Sequence, residues 1–76
     1  MMNIIDEIKK ELRRYNLTTE QISERLNINL NDIYTGKKKL EMEELLCIID
    51  FLNPSFTRAT ELVNMYKEEY SEKTVN

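Results

Sequence analysis

Histidine and tryptophan are absent from this chain of 76 residues, and cysteine, glycine and proline occur once each. Without histidine, the commonest general base and metal ligand is missing. The one cysteine, Cys47, forms no internal disulfide, and it lies in the apolar run LLCII, where a thiol is expected to be a small buried hydrophobe rather than a nucleophile. With Gly36 the only glycine, there is no Gly-rich loop to cradle a phosphate. The paired acids Glu43/Glu44 and Glu68/Glu69 are neighbours in sequence, so on a helix their side chains diverge by about 100° and do not converge on a substrate. An enzyme is not expected, nor a cofactor or metal site.

Long apolar runs are also missing. The longest, Leu45 to Ile49, is far too short to span a bilayer, and the opening MMNIIDEIKKEL lacks the basic-then-apolar order of a secretory signal. The expected location is the cytoplasm. No segment alternates apolar and polar residues over strand length, and one Gly with one Pro leaves little punctuation, so the expected fold class is all-α. With 41% hydrophobic and 33% charged residues the chain is apolar enough to fold, yet near the size at which one core barely supports itself.

Charge is unevenly placed. The net charge of −3 counts against nucleic acid, but residues 1 to 39 carry eight basic and six acidic residues, whereas residues 40 to 76 carry three and eight. Any anion-binding face therefore belongs to the first half.

Five helical segments follow from periodicity and capping signals. Ile4, Ile5, Ile8, Leu12 and Tyr15 recur at three- and four-residue spacing and make one face of a helix over about 3 to 15. Lys9, Lys10, Arg13 and Arg14 lie mostly off that stripe and read as a solubilising face. TTEQ forms a capping box for a second helix, Thr18 with Gln21, ending near Asn27. Asn29 caps a third, from Leu30 to about Thr35, and Gly36 is the expected residue with positive φ after it. A fourth, from Leu40, is expected to bury Met42, Leu45, Leu46, Ile49 and Leu52. Asn53 then reads as an N-cap with Pro54 in the first turn of a fifth helix reaching about Tyr70, and Phe56, Ala59, Val63, Tyr66 and Tyr70 form its seam, facing the core or a second subunit. A polar tail over 71 to 76 is expected to fray.

Two short helices joined by a three-residue turn, a Gly-terminated break and a further amphipathic helix are the layout of a helix-turn-helix. The run LTTEQISERLNINLNDIYTGKKKLEMEELLCIIDFL resembles the Cro/cI-type (XRE-like) helix-turn-helix regulators of phages and bacteria. Leu17 precedes the capped positioning helix, Ser23 is the small residue at the helix crossing, Leu26 closes that helix, Ile28 is the apolar turn residue and Ile33 the buried residue of the reading helix. The likeness covers about half the chain and departs at Asn27, where the family has Gly, and in the reading helix, which is about one turn short. A weaker likeness is to the N-terminal helix-turn-helix domains of phage arbitrium-type peptide-responsive regulators, in which a large repeat domain follows; for this chain the nearer expectation is a stand-alone regulator or a small protein that interferes with a related one.

The resemblance implies a compact five-helix, lambda-repressor-like bundle over residues 1 to 70 that binds double-stranded operator DNA as a homodimer. Leu30, Asn31, Tyr34 and Thr35 would read bases, Leu30 through a thymine methyl and Asn31 through adenine. Thr18, Thr19, Lys37, Lys38 and Lys39 would hold phosphates. Each has a blander reading. GKKK is also the composition of a solvated loop, Tyr34 also suits packing against Lys38 or the first helix, and Tyr66 and Tyr70 suit core or dimer packing better than stacking on bases. The rival expectation is a helix-turn-helix-shaped factor that binds a protein, such as an antirepressor, a regulator's partner or an anti-defence protein.

Overall fold

The computed structural model describes residues 3–71, and these form five α-helices with no strand among them: α1 Ile4–Arg14, α2 Thr19–Leu26, α3 Leu30–Tyr34, α4 Met42–Leu52 and α5 Phe56–Ser71. Of the tail expected over 71 to 76, residue 71 closes α5 and the rest lies outside the described residues. The chain has a radius of gyration of 12.2 Å, near the roughly 11 Å of a compact chain of this length.

Local chemistry sets most helix ends. Asn3 Oδ1 accepts from the Asp6 N–H at the start of α1. At α2 the capping box closes in both directions, Thr18 Oγ1 accepting from the Gln21 N–H (3.1 Å) and Gln21 Oε1 from the Thr18 N–H (2.8 Å). Asn29 Oδ1 accepts from the Asp32 N–H and starts α3, and Gly36 follows it with φ +84°. Its left-handed backbone lets the Lys37 N–H reach the Asp32 carbonyl at 2.9 Å and so end the helix.

Three asparagines also adopt positive φ: Asn16, Asn27 and Asn53. Asn53 corrects the expected boundary, because it is the left-handed C-cap of α4, with its N–H on the Ile49 carbonyl at 2.7 Å, and not the N-cap of α5. Pro54 precedes α5 instead of sitting in its first turn, and Ser55 Oγ accepts from the Arg58 N–H. Asn53→Gly should leave stability unchanged or slightly raised, whereas Asn53→Val should lower it by about 1–2 kcal/mol, read as a shift in urea midpoint at constant slope.

The core gathers Ile4, Ile8 and Leu12 of α1, Ile22 of α2, Leu30 and Ile33 of α3, Leu45, Ile48 and Leu52 of α4, and Leu62 of α5. Ile28 and Leu40 fill it from the connections. α4 begins at Met42, two residues later than expected, and Leu40 enters the core from extended chain. Its buried stripe is Leu45, Ile48 and Leu52, while Leu46 is 48% exposed and Cys47 is exposed, contrary to expectation. LLCII is apolar all round, so the pattern alone does not choose the inward side; packing of α4 against α2 and α5 chooses it. On α5 the buried residue is Leu62. Ala59, Val63, Tyr66 and Tyr70 are half-buried beside it, and Phe56 is 86% exposed at the first position of the helix, where no neighbour covers it.

Candidate nucleic-acid interface

α2 and α3 pack together across the turn at 27–29, whose tight reversal the left-handed Asn27 permits. Ser23 joins the two helices, its Oγ accepting from the Leu30 N–H at 3.3 Å. That hydrogen bond needs a short side chain at the crossing, which is why Ser23 suits it.

The position of Leu30 overturns one expected base contact. The side chain is fully buried at the first residue of α3, inside the cluster made with Ile22 and Ile33, and reaches no groove. Asn31 and Thr35 are exposed, and their four-residue spacing puts them on one side of the helix. α3 has five residues, about 7.5 Å of axis, so its exposed side is short. Thr35 Oγ1 donates to the Asp32 carbonyl at 3.3 Å, so its hydroxyl is partly committed to the helix end.

Tyr34 is half-buried and packs toward α1: Lys9 Nζ lies 4.7 Å from the ring centroid. The Tyr34 hydroxyl oxygen is buried and makes no hydrogen bond within the described residues. Burial raises its pKa above the ordinary tyrosine value, and the neighbouring Thr19 hydroxyl opposes that shift without closing a well-formed hydrogen bond. Tyr34 is thus a half-buried residue packed against Lys9 at the rim of the face.

The expected phosphate contacts separate in the same way. Thr18 spends its hydroxyl oxygen and its N–H on the capping box, and Thr19 is half-buried beside Tyr34. Lys38 is tied to Glu44 through a short ion pair that raises the lysine pKa, while burial pushes the Glu44 carboxyl up and Lys38 with the Glu41 N–H outweighs that and holds it low. Glu44 also takes the Glu41 N–H at the start of α4, so Lys38 is drawn away by a helix-capping residue. Lys37 and Lys39 are exposed with no carboxylate partner among the described residues, and Lys39 Nζ lies 5.7 Å from the centroid of the Tyr70 ring.

Comparison of the chain with family models, curated proteins and solved structures gives no match.

Acidic residues of α2 border the same side as Asn31. Glu20 and Glu24 of α2 line a shallow groove with Ser23, Asn27, Ile28, Asn29 and Asn31. On the seam of α5, Tyr66 donates to the Leu40 carbonyl at 2.9 Å and stacks at a tilt on Tyr70, 4.6 Å between centroids, so both tyrosines hold the segment before α4.

Sequence reading missed three groups. Lys9 reads as part of a solubilising face, although it follows Ile5 by about one helical turn and so borders the core stripe. Glu7 and Glu11 are buried and bind Arg58 of α5, a pairing separated by 51 and 47 positions that leaves no local signal. No helix among the described residues is long and apolar enough to cross a membrane.

Proposed function

We propose that the chain is a DNA-binding transcriptional regulator of the Cro/cI kind, using the α2–turn–α3 unit as a helix-turn-helix and acting as a dimer on two half-sites. The observation that supports this reading best is the exposed side of α3. Asn31 and Thr35 share it, the Gly36 break directly follows, and Lys37 and Lys39 beyond the break have no carboxylate partner among the described residues. Asn31 has the donor and acceptor for a bidentate contact to adenine, and the two lysines supply phosphate contacts. Five residues of helix make few base contacts per protomer, so affinity depends on phosphates and on doubling the site.

A second reading, a protein-binding factor of helix-turn-helix shape, is favoured by Glu20 and Glu24 beside α3 and by the withdrawal of Lys38 onto Glu44. Anisotropy titrations with a random-sequence duplex at low and moderate salt separate the two. With DNA binding, Lys37→Ala/Lys39→Ala should flatten the dependence of log affinity on log salt by about two per protomer, and Lys38→Ala should change it much less. No retention of the wild-type chain even at low salt would reject DNA binding and direct the search to a protein partner.

A further inference from the structure

Among the described residues, several basic side chains are paired with carboxylates. Lys10 on Glu7 (3.5 Å), Arg14 on Glu11 (3.4 Å), Arg58 on Glu7, Glu11 and Glu61, and Lys38 on Glu44 each meet a carboxylate. Lys9 does not: among the described residues its ammonium meets the ring of Tyr34, the last residue of α3. A carboxylate cancels the charge of a lysine, whereas a ring face attracts the cation and leaves its net charge and outward N–H donors free. The ring also holds a long side chain in place before any ligand arrives, which lowers the ordering cost of binding.

We infer that Lys9 of α1 is a phosphate-binding residue at the edge of α3, with Tyr34 as the positioning residue that holds it there. The inference rests on the DNA-binding reading above and extends the phosphate set to a third element of the fold. Tyr34 neighbours both Lys9 and Thr19 of α2, so a phosphate at the Tyr34 edge of α3 would meet the Lys9 ammonium, while Lys37 and Lys39 follow α3 beyond the Gly36 break. Lys39 repeats the device on the ring of Tyr70. In place of the Lys38 contact that Glu44 withdraws, α1 supplies a cation whose charge is uncancelled.

The test is the salt dependence of binding to a random-sequence duplex by the full chain, its fold checked by circular dichroism. Lys9→Ala should lower the slope of log affinity against log salt by about one per protomer, while Lys10→Ala should leave it at the wild-type value. Tyr34→Phe keeps the ring and should keep the slope. Tyr34→Leu removes the ring, and Lys9→Ala added to it should cost less affinity than in the wild-type background, a non-additivity that loss of packing alone does not produce. A wild-type slope in Lys9→Ala would overturn the inference while leaving DNA binding intact. Absence of salt-sensitive binding by the wild-type chain would overturn both.

Discussion

Replacing Arg58 by alanine is expected to destabilise the fold by about 3 kcal/mol, the lower end of the range for breaking a buried ion pair by removing one partner. The guanidinium joins α5 to α1 through Nη2 on Glu7 Oε1 (2.5 Å) and Nε on Glu11 Oε2 (2.7 Å), with Nη1 on Glu61 at 3.1 Å. Glu7 and Glu11 are 3% and 1% exposed, so removing Arg58 leaves two carboxylates in the interior with no cation of comparable geometry. Glu11 Oε1 already lacks a hydrogen-bond partner within the described residues, which leaves this corner little reserve. For a domain this small, about 3 kcal/mol is a third or more of the total stability and lowers Tm by more than about 10 °C.

The pH dependence of the same variant checks the cause. In the wild-type fold the Arg58 guanidinium, beside Glu7 and aided by Lys10, holds that carboxyl below its ordinary value of 4.5 against the opposing effect of burial. A depressed folded-state pKa means that the stabilisation is present above the unfolded value and is lost as pH falls through the lower, folded value. Without Arg58 the largest effect holding the Glu7 carboxyl down is gone and only Lys10 opposes burial, so the carboxyl rises from its wild-type value. Acid unfolding of Arg58→Ala should therefore begin at a higher pH than in the wild type. Arg58→Met combined with Glu7→Gln and Glu11→Gln removes the buried charges together and should recover part of the loss in urea unfolding. An Arg58→Ala variant as stable as wild type, with an unmoved acid transition, would show that the cluster contributes nothing net.

Leu30 and Asn31 are adjacent, and their truncations should have opposite consequences. Leu30→Ala empties a fully buried site between α2 and α3 and should cost about 2–5 kcal/mol, so any loss of DNA retention by this variant reports unfolding. Asn31→Ala is exposed and should change stability by no more than about 0.5 kcal/mol. If Asn31 reads an adenine, its truncation should remove about 1–3 kcal/mol of discrimination on a selected site and leave binding to random duplex nearly unchanged. Urea unfolding of both variants beside anisotropy on selected and random duplexes separates these effects. Equal discrimination by Asn31→Ala and the wild type would remove Asn31 from the reading surface.

Five helices, their order and most of their ends were legible in the sequence. The capping box at Thr18 and Gln21, the Asn29 cap, the left-handed Asn27 and the Gly36 break all depend on hydrogen bonds that close within about five residues of chain. Residue type and spacing are then sufficient, because every partner lies inside the same short window. Asn53 shows the limit of that logic. An asparagine beside a proline suits an N-cap or a left-handed C-cap equally, and the carbonyl of Ile49 receives its N–H because α4 extends to Leu52.

Which side of each element faces inward was decided by the tertiary structure. Leu30 reads as exposed if α3 is placed by resemblance, but Ile22, Ile33 and the Ser23 hydrogen bond rotate that position into the core. Leu46 and Cys47 lie in a run apolar on every side, so only contact with α2 and α5 selects Leu45, Ile48 and Leu52 for burial. The candidate interface was decided the same way. Glu44 reaches back six residues to take Lys38, Tyr34 turns under Lys9, and Arg58 closes on Glu7 and Glu11 from across the chain. Each of these charges looks equally free in the sequence; which cations keep their charge for a partner depends on what the fold places within about 4 Å of them, because Coulomb attraction acts through space and not along the chain.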